Sequence, residues 1–254
     1  MIKKPLGRKA YGSIPHLPGS KLGPGDHHIS EGQARMLLEK PRKGDTIVIQ
    51  VKLDGSNVAV AKLLDGRIVP LTRSGYVAET SPYLLHHLFS DWVYSKSAIF
   101  ESLLNLGEWI SGEWMAQVHS IVYELHAEPF IPFDIFSGGT RITYSKLRER
   151  LQPLGLHVPS LIFQSTAVGC DDTLSMNLVK QELTHRWNGV RPLESHEGAV
   201  WRYENKQGQV EFMAKWVRPD FVAGKFLENE FPTWNPGLKR WLPSKAIKRL
   251  DAIS

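Results

Sequence analysis

The stretch Thr46-Ile-Val-Ile-Gln-Val-Lys52-Leu-Asp-Gly-Ser-Asn57-Val-Ala-Val-Ala-Lys-Leu-Leu64 decides how the chain is read. Apolar and β-branched residues dominate Thr46 to Lys52 and Asn57 to Leu64, which predicts two strands around Asp54-Gly55. Asp65-Gly66 introduces a third run, Arg67 to Arg73, so an antiparallel meander is expected. Lys52 would then end a strand beside a glycine turn, its amine at a pocket floor, with Gly55 letting the backbone approach a ligand closely. An amine attacks only when deprotonated, so chemistry at Lys52 calls for a pKa depressed by neighbouring cations and partial desolvation. Taken alone, Lys-x-Asp-Gly reads equally as a surface lysine beside an ordinary hairpin, since three fixed residues recur by chance about once per 8,000 positions.

Upstream, residues 1–29 are rich in Gly, Pro, His and Lys and read as an arm lying over the core. Ser30 and Gln33 form a capping-box signature ahead of Ala34, Leu37 and Leu38, predicting a short helix that stops before Pro41. Downstream, helical spacing of Leu84, Leu85, Leu88 and Trp92, then Ile99, Leu103, Leu104 and Leu106, predicts two helices. Strands are expected over 109–118 and 129–136, an amphipathic basic helix over 143–154 and another helix over 174–186. A hairpin of 198–203 and 210–217 follows. The pattern gives an α+β fold of mainly antiparallel sheets flanked by helices. Three segments are expected: the arm 1–29, a catalytic core 30–222 and a short basic tail 223–254, packed on the core or extending from it.

Composition narrows the class. With 254 residues and 42% hydrophobic content the chain can bury a sizeable core. No apolar run approaches the roughly 18 residues of a membrane helix, and Met1 to Pro5 leads into Gly, Arg and Lys rather than an apolar leader, so no membrane partner and a cytoplasmic address are expected. The single cysteine, Cys170, excludes an internal disulfide and a multi-cysteine zinc cluster. The ten histidines, His27-His28 and His86-His87 among them, have no metal-ligand framework. A net charge of +5 favours a polyanionic partner without distinguishing RNA, DNA and membrane surfaces.

Five further fragments follow Lys52-Leu-Asp-Gly-Ser-Asn57 in order: Arg73-Ser-Gly75, Gly112-Glu-Trp114, Phe130-Ile-Pro-Phe-Asp134, Glu197-Gly-Ala-Val200 and Lys215-Trp-Val-Arg218. Singly each has a bland reading: a turn, an exposed strand carboxylate, a core Phe. As a series the chain resembles the ATP-dependent RNA ligases of the covalent nucleotidyltransferase superfamily, in particular the bacterial and phage RNA ligase 2-like branch. The resemblance implies an ATP-grasp-like ligase core in which Lys52 is adenylylated, and Asp54, Gly55 and Asn57 complete the nucleotide contacts around it. It implies that Arg73 binds the nucleotide and helps position the RNA end, a role its planar fork of donors suits. Glu113 would contact the ribose or metal end and Phe133 would stack on adenine. Glu197, with Glu113, would hold Mg²⁺ or Mn²⁺, and Val200 would pack against the base. Lys215 would contact the α-phosphate. Many relatives carry a second lysine where Met213 stands, which makes Arg218 the candidate for the missing charge.

Three steps are implied: Lys52 attacks ATP and releases pyrophosphate, AMP passes to an RNA 5′-phosphate, and a 3′-hydroxyl displaces AMP. Only 39 residues follow Lys215, too few for an additional C-terminal OB-fold domain of the kind DNA ligases and capping enzymes carry. That favours RNA over DNA as partner. The tail's Lys239, Arg240, Lys245, Lys248 and Arg249 among apolar residues could grip a phosphate backbone or belong to a helix docked on the core. A DNA ligase, a capping-type guanylyltransferase and a degenerate RNA-binding module are the alternatives. His119, close behind the Gly-Glu-Trp fragment, has no assigned role.

Overall fold

A computed structural model describes residues 4–166, 176–227 and 229–252, so Cys170 and the expected helix start at Leu174 lie outside the described residues. The strands in chain order are β1 Thr46–Lys52, β2 Ser56–Lys62, β3 Ile68–Thr72, β4 Trp109–Trp114, β5 Tyr123–Leu125 and β6 Phe130–Ser137. They continue with β7 Thr140–Arg141, β8 Leu161–Thr166, β9 Val190–Pro192, β10 Gly198–Glu204 and β11 Val210–Val217. The helices are α1 Glu31–Leu38, α2 Leu84–Ser95, α3 Ser97–Leu103, α4 Tyr144–Leu151, α5 Met176–His185 and α6 Ser244–Asp251.

Among the described residues the strands form a four-stranded sheet of order β11-β10-β1-β8, a five-stranded sheet of order β3-β2-β4-β6-β7, and a ribbon of β5 with β9. All pairings between these strands are antiparallel. The fold is therefore α+β as expected, and the described strands close no barrel. The expected meander is corrected at its first turn. Strand β1 pairs with β10 and β8, not with β2, so Leu53 to Gly55 is a crossover between sheets rather than a hairpin. The physical reason lies in both strands. Ile47, Val48, Ile49 and Val51 bury both its faces within the other sheet, and both edges of β2 are already taken by β3 and β4.

Each sheet packs on helices or on the N-terminal segment. Phe89 and Trp92 of α2 and Phe100 of α3 meet Trp114 and Phe130 of the five-stranded sheet, with ring centroids between 5.3 and 6.3 Å apart. A second cluster joins Ala10 and Tyr11 of the N-terminal segment to Ala59, Ala61, Leu71, Trp109 and Phe136. Further along, that segment runs beside β11: the Leu17 N–H donates to the Lys215 carbonyl and the Lys215 N–H to the Pro15 carbonyl, at 2.8 and 2.9 Å. The hydroxyl of Ser30 caps α1 by accepting from the Gln33 N–H.

The tail docks. Asn235 bonds the Tyr123 N–H and the Met115 carbonyl through its side chain, and Lys245 and Arg249 of α6 both reach the buried carboxylate of Asp91 on α2 at 2.7 Å. Those two cations are thereby engaged within the fold.

One buried ion pair ties the two sheets together. Arg202 of β10 donates to Asp134 and to the Phe133 carbonyl of β6, and the same carboxylate accepts from the Tyr11 hydroxyl at 2.7 Å and the Arg141 Nε at 3.0 Å. Arg202 is 1% exposed and Asp134 0%, so removing one partner strands the other's charge. Asp134→Ala is expected to lower unfolding free energy by about 3–5 kcal/mol in denaturant titration. A loss below about 1 kcal/mol would show that the sheets are held elsewhere.

Candidate active site

Successive side chains of a strand alternate between faces, so residues two apart share one. In the four-stranded sheet the register sets Lys52 opposite Gly198, Gln50 opposite Val200, Val200 opposite Lys215 and Arg202 opposite Met213. Those alternating positions, Gln50, Lys52, Val200, Arg202, Met213 and Lys215, line one cavity of about 420 Å³. The five-stranded sheet and the chain flanking it close it from the other side with Asn57, Arg73, Glu113 and Phe133. Gly198 is required beside Lys52, because a Cβ there would lie 1.9 Å from the Trp216 carbonyl oxygen.

Lys52 Nζ sits 2.5 Å from Glu197 Oε2, with the lysine side chain 24% exposed and the glutamate 10%. Burial pushes the Lys52 amine down, but Glu197, Glu113 and Asp54 outweigh it and hold the amine above its ordinary value. The expected depression is thus reversed, since the groups around this lysine are carboxylates rather than cations. Burial pushes the Glu113 carboxyl up to about 7 against the pull of Lys52, with Glu197 and Asp54 adding to the rise. Burial likewise raises Glu197, against Lys52. Lys215 goes the other way: burial lowers its amine, Asp26 opposes the fall at 3.5 Å, and Lys52 adds to it.

The remaining candidates divide. Phe133 and Val200 give the cavity apolar walls, and Phe133 meets the Tyr11 ring edge-on at 5.0 Å. The buried Asn57 Oδ1 has no hydrogen-bond partner among the described residues. Arg73 is exposed at the rim and donates to Ser13 Oγ at 3.2 Å. Asp54 lies behind the lining and accepts from the Ser120 and Ile121 N–H groups at 2.7 and 3.0 Å, fixing the loop after β4. Gly55 lines the cavity, yet what demands glycine is β4: a Cβ would meet Met115 Sδ and the Trp114 carbonyl, both at 2.9 Å. Arg218 does not line the cavity. It follows the end of β11, where its guanidinium bonds Asp220 and the His196 carbonyl, and its N–H holds the Glu197 carbonyl at 3.1 Å.

The sequence profile of the RNA ligase family matches residues 45–217, the segment that builds most of this cavity. The chain belongs to the RNA ligase family. No curated protein sequence matches it. Similar solved structures include an RNA ligase of Naegleria gruberi with pyrophosphate, 17% identical, with a TM-score of 0.49, over 80% of this chain and 59% of that one. A variant of the same ligase with ATP and manganese is 18% identical over 81% and 60%, TM-score 0.45. An archaeal ATP-dependent RNA ligase is 18% identical over 82% and 48%, TM-score 0.45. The chain thus spans about three fifths or less of these proteins' lengths.

Within this RNA ligase fold several site residues carry no family fragment. Arg202 occupies the cavity at the level of Met213, and the period-two spacing from Val200 is the signal that places it there. Tyr11 and Ile14 wall the cavity from the N-terminal segment, and Asp26 of that segment reaches both Lys215 and His16 Nε2, the latter at 3.0 Å. No periodicity announces these contacts. His119 lines the cavity with Nε2 3.1 Å from Ser56 Oγ, and burial holds its ring below the ordinary value.

Behind the site His196 is fully buried, its Nε2 bonded to the Arg186 carbonyl at 2.6 Å, and burial lowers its pKa from 6.5 to about 4. Below pH 6.5 the unfolded chain takes up a proton there that the folded chain refuses, so acidification towards 4 costs stability. Glu113, raised from 4.5 to about 7, acts in the opposite sense within that window, so the test is a difference. Stability of His196→Gln should fall less steeply than wild type on acidification below 6.5, by at most about 1.4 kcal/mol per pH unit. Equal slopes in chemical denaturation would contradict this.

Proposed function

We propose that this chain is an ATP-dependent RNA ligase that forms a lysyl-AMP at Lys52. What carries the reading is the setting of Lys52: an amine at the end of a buried strand, paired with Glu197, on the floor of a cavity walled by Phe133 and Val200 with Lys215 beside it. Such a cavity is suited to a purine between apolar walls with its phosphates directed at the two lysines. The unpartnered Asn57 Oδ1 supports it, because a buried acceptor without a donor calls for a ligand.

Among the described residues no group of three or more His, Cys, Asp or Glu makes a ready metal cage. Magnesium rarely needs one, since it keeps several waters and is held by one or two carboxylates together with substrate phosphates. Glu197 and Glu113 fit that donor set, the first buried and the second half-buried, and both facing the Lys52 amine. A divalent cation there would supply the charge that releases Lys52 from its carboxylates and offsets charge at the α-phosphorus.

In the first step the neutral Lys52 amine attacks the ATP α-phosphorus, the N–P bond forms and pyrophosphate leaves. In the second a 5′-phosphate oxygen of RNA displaces the lysine and takes the AMP. In the third a 3′-hydroxyl attacks that 5′-phosphate, closing the phosphodiester and releasing AMP. In all three, Lys215 stabilises charge on the phosphoryl group and the cavity supplies alignment. Arg73, exposed at the rim, would bind the nucleotide from there and help position the RNA end.

Incubation of the purified protein with ATP and Mg²⁺ should raise its mass by one AMP, and Lys52→Ala should abolish the increment. A GMP increment instead would select the capping-type reaction, preferential sealing of nicked duplex DNA a DNA ligase, and salt-sensitive RNA binding with no increment a binding module. A second test addresses Lys215. Asp26 opposes the fall of its pKa, while Lys52 and burial drive it. Asp26→Asn should therefore move the alkaline limb of adduct formation to lower pH while leaving the rate near neutrality within a few-fold, and Asp26→Glu should restore the limb. An unshifted limb in a folded Asp26→Asn protein would remove Asp26 from this role.

A further inference from the structure

A second cavity of about 530 Å³ opens beside the first, lined among others by Ser74, Tyr76, Ser81, Tyr83 and His86. Its size falls within the range of about 300–1,000 Å³ of small-ligand sites. His86 lines both cavities, and Arg73, on the rim of the first, lies between Thr72 and Ser74 of the second, so the two share a wall. The second is the more solvent-facing, and two aromatic rings stand in the open there: Tyr83 is 63% exposed and Tyr76 41%.

Local bonds fix the frame that presents these rings. Ser81 Oγ accepts from the Tyr83 N–H at 3.2 Å and lies 2.6 Å from His86 Nδ1, and His87 Nε2 meets the Ser81 carbonyl at 2.9 Å. Tyr83 packs its ring edge-on against His86 with centroids 6.1 Å apart. Gly75 is required in the turn before Tyr76, with φ +87° and the Arg8 carbonyl oxygen 2.1 Å from where a Cβ would be. That close approach brings the N-terminal segment past the groove, and Lys4 Nζ lies 4.7 Å from the Tyr76 centroid. The groove therefore presents two exposed tyrosine rings with Lys4 over that of Tyr76 and Arg73 next to Ser74 in the chain, and His86 beside them is held neutral because burial lowers its pKa to about 4.

Exposed tyrosines flanked by cations suit an unpaired nucleotide, whose base offers a π face and whose backbone is anionic. We infer that this groove is a stacking subsite for the unpaired terminal nucleotide of the RNA to be joined, delivering its end past Arg73 into the Lys52 cavity. The inference rests on the RNA-joining reading above and adds to it a place and a preference: single-stranded over fully paired ends.

The test uses the full chain with Tyr83→Ala, Tyr76→Ala, the double variant and Tyr83→Phe, all checked by thermal melting. The probe is a short fluorescent single-stranded RNA with a 5′-phosphate, compared with a version abasic at its terminal nucleotides. The double variant should bind the intact RNA on the order of tenfold more weakly, with Tyr83→Phe close to wild type and binding of the abasic RNA unchanged by any substitution. AMP adduct formation without RNA should proceed at the wild-type rate in every variant. Unchanged affinity of the double variant for intact RNA overturns the subsite, as does an equal loss with the abasic probe, which would make the effect one of phosphate contact. Failure of the wild-type protein to form an adduct would instead overturn the ligase reading, and the RNA-binding comparison would still decide the groove.

Discussion

Arg202 and Asp134 are the constraint on which the site depends, because they fix the distance between the two sheets that wall the cavity. A guanidinium and a carboxylate out of water each lose hydration worth several kcal/mol, and direct attraction repays that only with good geometry and further hydrogen bonds. Here the carboxylate also accepts from Tyr11 and Arg141, and the guanidinium also donates to the Phe133 carbonyl, so most of the lost hydration is replaced. The exception is Arg202 Nε, which has no hydrogen-bond partner among the described residues and stands 4.0 Å from Glu204. An apolar pair could join the sheets as firmly. A directional pair also holds the Phe133 backbone, and with it the strand position from which that residue lines the cavity.

The cavity follows from that spacing and from alternation along three strands. Once β1, β10 and β11 are in register, Lys52, Val200 and Lys215 share a face without any loop arranging them. A site built on strands holds its groups more rigidly than one built on loops, and the proposed transfer at phosphorus would draw on that alignment. The N-terminal segment extends the same logic: by pairing with Lys215 it gives β11 a second neighbour, so the lysine does not lie on a bare sheet edge. Residues 10–29 thus share hydrogen bonds and a hydrophobic cluster with the core, and cutting the chain at residue 29 would break both.

Much of this was legible in the sequence, for identifiable reasons. Strand β1, the β10–β11 hairpin and helices α2 and α3 follow from strong periodicity. The pairing of β1 was not legible, because alternation specifies which residues face the core but not which strand lies alongside. The ribbon of β5 and β9 is three residues a side, too short to show a period. The N-terminal contacts run through backbone groups and single side chains such as Tyr11 and Asp26, which leave no pattern to count. Arg202 was legible in principle, two positions after Val200 on a strand, but an arginine in an otherwise apolar run draws no notice until its partner Asp134, 68 residues away, is seen.

The absence of a second lysine on β11 looks different once these positions are known. Met213 is 8% exposed and faces Arg202 across the sheet. A lysine there would put a third cation beside Arg202 and Arg141, with Asp134 the carboxylate already shared by both, and would lack a counter-ion unless a phosphate were present. Methionine at that position brings no charge that would need a partner. Arg218 cannot fill the gap from the far side of the strand end, where it holds the Glu197 backbone. Positive charge on the β11 side of the cavity therefore rests on Lys215 with Asp26 as its tether, which makes the N-terminal segment part of the electrostatics of the site and not only its cover.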